Sequence, residues 1–401
     1  MGDEILNLHN AIGAEEAITS IQHHAYNPYT NSFNNNDEIR IVIQHQDLYV
    51  LPHESYIYIE GRVLVATAAA GAEAAAREVP NFVNNAAGFL FDEIRYELNG
   101  FPIDCCKNVG ITSTLKGYAS YKPSSMNRLH MAGWKKESNQ PGSAGYINFC
   151  IPLKSIFGFA EDYRNIIMNA KHELILLRSR SDINCFVGAN DLSTIQIDKI
   201  QWRIPHINVA DAAKIKLLKV LDRQQPILLH FRTWELFEYP VLPTTNNHIW
   251  SVKASSSLNT PRYIMVAFQT NRNNRIGADK SRYDHCALSD LKVYLNSESY
   301  PYENLNVNFA NNQYAVLYDM YCRFQETYYH DRAPHTAVPL LTYEEYGTNA
   351  PIIIIDCSRQ NEALKKSIID IRIEFQTRNN IAANTAAYCL IIHDNIISYN
   401  P

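Results

Sequence analysis

The 401-residue sequence lacks the short motifs that commonly mark an enzyme. It contains no G-x-G-x-x-G, no G-x-x-x-x-G-K-[ST], no G-x-S-x-G and no H-E-x-x-H, the patterns that build phosphate-binding loops, nucleophilic serines and zinc sites. The closely spaced histidine pair with a glutamate, which binds metal in cupins, is also missing from both halves. We therefore expect no catalytic residue, no cofactor, no metal site and no enzymatic activity.

The eight cysteines lack the C-x-x-C spacing of redox and zinc sites. Most lie in apolar surroundings, and adjacent cysteines cannot form an ordinary disulfide with each other. We predict buried free thiols at Cys105, Cys106, Cys150, Cys185, Cys286, Cys322, Cys357 and Cys389.

Signals of secretion are absent as well. Asparagine makes up about a tenth of the chain, but none lies in an N-x-[ST] sequon, and the N-terminus has no basic region followed by an apolar run. No apolar segment approaches the length of a membrane span. We therefore expect a protein without a membrane span that folds inside the cell.

An excess of positive charge is also lacking. The formal net charge is −5, which gives no overall field that attracts nucleic acid or an anionic membrane. In the most basic short stretch, charged and apolar residues alternate roughly as in a half-buried strand, and its basic residues are Lys214, Lys216, Lys219 and Arg223. We interpret it as a solvated strand face or an interdomain segment, with a specific anion or lipid site as the alternative.

A few polar clusters contain residue types found in active sites, but each has a simpler interpretation. Asp284-His285-Cys286 has the types of a thiol site, yet adjacent residues on a strand point to opposite faces. The other clusters lie in segments predicted as arm or loop, where solvated side chains are expected: His23-His24, His330 with His335, and Glu344-Glu345.

Strand patterns and turns are what the sequence does contain. Tyr, which favours strands, is unusually common, with 25 residues against 15 Phe, and the abundant Asn favours turns. Alternating segments such as Ile369–Phe375 recur in both halves, and the strand at Tyr56–Val65 is expected to bend at Gly61. These patterns predict many strands and many turns. Because Tyr also suits partly solvent-exposed surfaces, we further predict large polar contact surfaces.

Two segments about half the chain length apart are similar to each other. Ile94–Gly100 and Leu291–Ser297 each have the pattern of a strand closed by a turn dipeptide. Each is followed by apolar residues at helical spacing, which predicts one short helix near 110–121 and another near 313–324. This repeat predicts an all-β protein built from tandem (double) jelly-roll sandwiches with short inserted helices.

The repeat also predicts the domain organisation. We expect an N-terminal arm over residues 1–35, a first jelly-roll domain over 36–207 and a second over 208–401. The arm has apolar residues at helical spacing, Ile5, Leu8 and Ile12, ahead of an Asn-rich connector. Such a segment cannot form a core alone.

Several segments, in matching order across the two halves, resemble the double jelly-roll major capsid proteins, in particular those of Polinton/Maverick elements and adintoviruses. In the first half these segments are Phe89–Gly100, Ile103-Asp104 and Asn108–Lys116. In the second half they are Asn304–Asn306, Leu317–Tyr321, Ile355–Glu362 and Arg372–Phe375. The similarity extends from about Asp37 to Pro401.

The resemblance implies a structural role as a major capsid protein in a virion capsid. Three chains would form a pseudo-hexameric homotrimer, the trimers would contact neighbouring capsomers in an icosahedral shell, and a minor (penton) capsid protein would be a further partner. A jelly-roll carbohydrate-binding or recognition protein is the alternative function, followed by a bicupin-like metalloenzyme.

Overall fold

Strands dominate the structure, a computed structural model. It describes residues 17–44, 49–65, 80–134, 145–187, 193–222, 226–252, 261–275, 277–329, 338–359 and 369–399. The strands pair antiparallel throughout these ranges. The prediction of an all-β protein is confirmed.

The strands of the first half form two main sheets. In chain order they are β1 (Ile18–Tyr26), β2 (Glu38–Ile43), β3 (Tyr49–Val50), β4 (Tyr56–Val65), β5 (Asn81–Phe82), β6 (Phe91–Leu98), β7 (Phe101–Lys107), β8 (Tyr146–Pro152), β9 (Ile167–Met168), β10 (His172–Arg178), β11 (Phe186–Val187) and β12 (Ser193–Val209). One sheet has the order β1-β12-β4-β8 and the other the order β2-β10-β6-β7. Short β3 and β9 extend the first sheet, and β5 pairs separately with β11.

The strands of the second half also form two sheets. They are β13 (Ile227–Tyr239), β14 (Asn247–Val252), β15 (Pro261–Thr270), β16 (Leu288–Leu295), β17 (Glu298–Tyr300), β18 (Ile353–Asp356), β19 (Ile371–Thr377) and β20 (Thr385–Tyr399). The sheet orders are β13-β20-β15-β18 and β14-β19-β16-β17.

The two halves have the same strand topology. When the eight strands of the main sheet orders are numbered along each half, both halves give the orders 1-8-3-6 and 2-7-4-5. The predicted duplication and the tandem jelly-roll fold are therefore confirmed. Strands up to Val209 pair within the first half and strands from Ile227 pair within the second, so the pairing partners change close to the predicted domain division at 207/208.

The core of each half lies between its two sheets. In the first half the ring of Tyr96 on β6 lies 6.1 Å from the ring of Trp202 on β12. In the second half the rings of Phe268 on β15 and Phe375 on β19 lie 5.0 Å apart. The predicted irregularity at Gly61 is present, because the pairing register between β4 and β12 shifts there, and an added Cβ would lie 2.3 Å from the Gln196 oxygen.

Six α-helices connect the strands in the described residues: α1 (Val109–Ser120), α2 (Met126–Leu129), α3 (Gly158–Asp162), α4 (Asp211–Asp222), α5 (Ala315–Tyr329) and α6 (Tyr343–Asn349). Short 3₁₀ turns occupy Pro52–Glu54, Ala86–Leu90, Pro123–Ser125, His130–Ala132, Leu153–Ser155, Ile183–Cys185 and Phe309–Asn311. The two predicted inserted helices correspond to α1 and α5, and each follows the fifth of the eight main-sheet strands of its half.

Helix α4 corrects the interpretation of the basic stretch as a strand. Lys214, Lys216 and Lys219 lie on this helix, and Arg223 lies outside the described residues. The consecutive pair Leu217-Leu218 breaks the strand-like alternation, and Asp211 in the first turn with Lys219 in the last suits the helix dipole.

Strand β1 corrects part of the predicted arm. Residues 18–26 were assigned to the arm, but they pair with β12 from Ile18 opposite Val209 to Tyr26 opposite Trp202. His23 and His24 therefore lie on a strand instead of in a flexible segment. The helical pattern of Ile5, Leu8 and Ile12 lies outside the described residues.

The similar hairpins seen in the sequence are held in the same way. Asn99 and Asn296 have φ angles of 50° and 54°, a left-handed conformation that Asn tolerates better than most residues. The backbone amide of Asn99 donates to the backbone oxygen of Lys171, and the side-chain Oδ1 of Asn99 accepts from the backbone amide of Lys171, both at 2.8 Å. Asn296 makes the same two bonds with Asp370, at 2.9 and 2.8 Å.

Substitution of Asn99 should therefore destabilise the first half. Asn99→Ala loses a hydrogen bond and strains the backbone, so the free energy of unfolding should fall by about 1–3 kcal/mol. Asn99→Gly should cost less because glycine adopts positive φ without strain. Urea unfolding of both variants checks this, with the exposed Asn165→Ala as a control; equal losses for Ala and Gly would contradict the role of φ.

Candidate assembly interface

The two halves contact each other through α3 of the first half and β13 of the second. A Cβ added to Gly158 at the start of α3 would lie 1.8 Å from the backbone oxygen of Arg232. Real Cβ atoms do not approach this closely, so the packing requires glycine here. Next to it, the rings of Phe159 and Phe231 meet edge to face at 5.1 Å. Helix α3 thus lies directly against the backbone of β13.

Arg232 is bound by the other end of α3. The Asp162 carboxylate accepts from the Arg232 backbone amide at 2.9 Å, from Nε at 2.7 Å and from Nη2 at 2.5 Å. On the other side of Arg232, the guanidinium carbon lies 3.5 Å from the centre of the Tyr328 ring. Nη1 also donates to the backbone oxygen of Tyr328 at 2.7 Å. Such a charge-assisted pair with two parallel bonds fixes both distance and orientation.

A second, more deeply buried ion pair lies beside the first. Lys116 of α1 is buried, and its Nζ lies 3.1 Å from both Glu161 oxygens and 2.7 Å from Ser120 Oγ. The hydroxyls of Tyr328 and Tyr329 donate to the same carboxylate at 2.7 and 2.6 Å. Burial lowers the pKa of Lys116, and the Glu161 carboxylate acts in the opposite direction.

The two inserted helices also bond to each other. The buried Tyr321 hydroxyl on α5 donates to the Tyr118 oxygen of α1 at 2.7 Å, and Gln325 Nε2 donates to the Tyr121 oxygen at 3.0 Å. These bonds satisfy carbonyls at the end of α1, which have no partner within the helix.

Many tyrosines of the second half pack against one another within the domain instead of forming a solvent-exposed surface. Tyr314, Tyr318, Tyr321, Tyr343 and Tyr346 stack ring against ring around α5 and α6. Their hydroxyls donate to backbone oxygens, as Tyr346 does to Ile352 at 2.9 Å. The expectation that tyrosine mainly serves outer contact surfaces is wrong for this cluster.

The charged contacts of the interface were not identified from the sequence. The residues involved are Lys116, Glu161, Asp162 and Arg232. One cue was present: all twelve residues of α1 are buried and Lys116 is its only charged residue. A single charge in a helix of small and apolar residues needs a partner once it is buried.

Strands β1 and β13 occupy the same place in the two jelly rolls but differ in their surroundings. The middle of β13 is covered by α3 and by Tyr328, and Phe231, Thr233 and Trp234 are buried. In β1, every residue from Ile21 to Ala25 is exposed, on both faces of the strand. Such an edge strand is a template for contact with another chain.

Those clusters singled out in the sequence that the structure describes form no catalytic arrangement. The His24 ring contacts the His206 ring at 4.3 Å, whereas His330 and His335 lie outside the described residues. Glu344 and Glu345 lie in the first turn of α6, where Glu345 completes a capping box with Thr342; this corrects their assignment to a loop.

The Asp284-His285-Cys286 segment is no triad. The Asp284 carboxylate binds Arg272, and His285 Nδ1 accepts from the Ala287 amide at 2.9 Å. Burial raises the pKa of the Cys286 thiol to about 12, so the nucleophilic thiolate is scarce at neutral pH.

Within the described ranges, no group of three or more His, Cys, Asp or Glu side chains is arranged to hold a metal ion. The eight cysteines are free thiols, four of them buried and four partly exposed. No helix in the part of the chain that the structure describes is long and apolar enough to cross a membrane.

Comparison with known proteins identifies the family. Residues 81–397 match the family model described as the double jelly roll-like domain. The chain belongs to this family. A search of curated protein sequences gives no significant match.

Solved structures show the same double jelly-roll fold nearly end to end. The Faustovirus major capsid protein has a TM-score of 0.60 and 10% identity, with 99% of this chain and 94% of that chain covered. The mavirus major capsid protein has a TM-score of 0.55 and 11% identity, with 97% and 92% covered. A chain of the Sputnik virophage structure has a TM-score of 0.64 and 9% identity, with 98% and 89% covered.

Breaking the buried Lys116–Glu161 pair should be costly. Lys116→Met leaves the carboxylate without its cation, and the free energy of unfolding should fall by about 3–5 kcal/mol. Lys116→Met with Glu161→Gln should recover part of that loss, as urea unfolding would show. Lys154→Met, which removes the partly exposed partner of Glu54, should cost less than about 1 kcal/mol; equal losses for the two lysine variants would contradict the assignment.

Asp104 should make stability depend on pH. Burial raises the pKa of this carboxyl from 3.8 to about 7, although it accepts bonds from the Phe159 and Cys105 amides. The folded protein therefore holds the proton more tightly than the unfolded chain. The protonated Asp104 carboxyl therefore adds to the free energy of unfolding. This added stability is complete below about pH 4 and is lost as the pH rises through 7. Between pH 4 and 8, the free energy of unfolding of Asp104→Asn should fall less than that of the native chain. Urea unfolding at a series of pH values checks this, and the same pH dependence for both proteins would contradict it.

Proposed function

We propose that the chain is a major capsid protein, a structural subunit without enzymatic activity that assembles an icosahedral shell. The observation that carries the proposal is the duplicated jelly roll, in which one strand is covered within the chain and its counterpart is left exposed. The likeness to viral major capsid proteins over almost the full length of both chains supports the same conclusion.

The subunit forms a homotrimer in this proposal. Helix α3 covers β13 within one chain, and the counterpart strand β1 has no such cover from the residues that the structure describes. A second half from a neighbouring chain can cover β1 in the corresponding way. Three chains then close a ring of six similar jelly rolls, which gives a threefold assembly a pseudo-hexagonal outline.

The wider assembly follows from such a ring. Trimers contact neighbouring capsomers, and a minor (penton) capsid protein fills the fivefold positions that a pseudo-hexagonal unit does not fit. The protein then resides in the virion capsid after folding and assembling in the host cell. The segments that resemble Polinton/Maverick and adintovirus capsid proteins support placing the chain near that group.

Light scattering after size-exclusion chromatography tests the trimer. The native chain should have three times the subunit mass of 45.8 kDa. Ile21 is 55% exposed on β1, and Ile21→Asp should shift the mass to that of a monomer because it places an unpaired charge in the contact. Circular dichroism should show an unchanged fold.

Val241→Asp is the matched control. Val241 is 58% exposed and lies in the connection after β13, so this variant should remain trimeric. A native chain that stays monomeric at micromolar concentration would contradict the proposed assembly. A trimer that Ile21→Asp leaves intact would contradict the role of β1.

A further inference from the structure

A cavity of about 580 Å³ opens in the second half beside the Asp284-His285-Cys286 segment. Its walls come from the β15–β16 connection, the end of α6 and the turn between β19 and β20. The volume lies within the range of about 300–1,000 Å³ that is typical of small-molecule sites. No residue of β1 or β13, the strands on which the proposed trimer contact depends, lines this cavity.

The backbone at the cavity wall is strained. The His285 oxygen accepts from the Leu288 amide at 2.9 Å, which closes a tight turn. Its two central residues, Cys286 and Ala287, have φ angles of 47° and 52°. All other described non-glycine residues at positive φ are asparagines. Unfavourable conformations of this kind persist where the surroundings hold them and often occur at binding sites.

The surroundings do hold this turn. The Ala287 oxygen accepts from the Arg378 amide at 2.9 Å, which links the turn to the β19–β20 connection. Asp284 accepts from the Thr270 amide at 2.8 Å and pairs with both Nε and Nη2 of Arg272. The cavity frame is thus formed in advance by bonds that no ligand has to supply.

The cavity offers hydrogen bonds without net charge. Asp284 is neutralised by Arg272. His285 Nδ1 accepts from the Ala287 amide, so in the neutral ring the proton lies on Nε2, which is a donor. Burial lowers the pKa of His285, which favours this neutral form. An uncharged ligand is therefore preferred to an anion or a cation.

The polar groups left for a ligand are amides. Asn379 and Asn380 line the cavity and are exposed, and their side chains make no hydrogen bond within the described residues. Each amide offers donors and an acceptor, a combination that matches neighbouring hydroxyl groups. Ile381 and Ala382 add an apolar wall.

We infer that this cavity binds a neutral saccharide of one or two sugar rings, held through Asn379, Asn380 and the Nε2–H of His285. The inference depends on the second half alone, so it can fail without affecting the proposed capsid role. Equally, a chain that did not assemble would leave it intact.

Saturation-transfer NMR on the full chain tests the inference. The probes are glucose, galactose, mannose, N-acetylglucosamine, N-acetylgalactosamine and fucose at millimolar concentration, with N-acetylneuraminic acid as the charged comparison. At least one neutral sugar should show saturation transfer, and titration should give a saturable affinity. The Asn379→Ala/Asn380→Ala variant should bind it at least tenfold more weakly with an unchanged melting temperature.

Asn165→Ala is the matched control, because Asn165 is an exposed asparagine of the first half and its loss should leave binding unchanged. Three results would overturn the inference: no neutral sugar binds, only the charged sugar binds, or the double variant binds as tightly as the native chain.

Discussion

The contact between the α3 helix and the backbone of β13 is the constraint on which the rest of the structure depends. Gly158 lets the two chain segments approach, and four residues later Asp162 accepts the Arg232 amide and binds its guanidinium. Glu161, between them in sequence, holds Lys116 of the first inserted helix and two tyrosines of the second. A helix of five residues thus supplies the carboxylates of two ion pairs: one joins the halves, and the other lies within the first half beside it.

This constraint also produces the asymmetry that matters for assembly. Two jelly rolls of the same topology place β1 and β13 in equivalent positions, but among the described residues only β13 receives a cover from its own chain. If both strands were covered within one chain, neither would remain available for contact with another copy. In the proposed trimer, β1 makes the second contact with another copy, and a repeated head-to-tail contact closes into a ring when its rotation permits.

Local patterns in the sequence predicted much of the fold. The Asn99 and Asn296 hairpins, the two inserted helices and the bend at Gly61 depend on residues near each other in the chain. Strand β1 was missed because neither of its faces is buried, which removes the alternation that marks a strand. The interface could not be predicted in the same way, because its partners are far apart in sequence, as Glu161 and Tyr329 are. Only the lone charge of Lys116 in a buried helix gave a local signal.

Hydrogen–deuterium exchange on the assembled and dissociated protein tests the central claim most directly. In the single chain, the amides of Ile21–Ala25 that point away from β12 should exchange quickly, and they should become protected on assembly. Amides around Arg232 on β13, already covered by α3, should be equally protected in both states. Fast exchange of the outward-pointing amides of Ile21–Ala25 in the assembled protein would contradict the proposed role of β1.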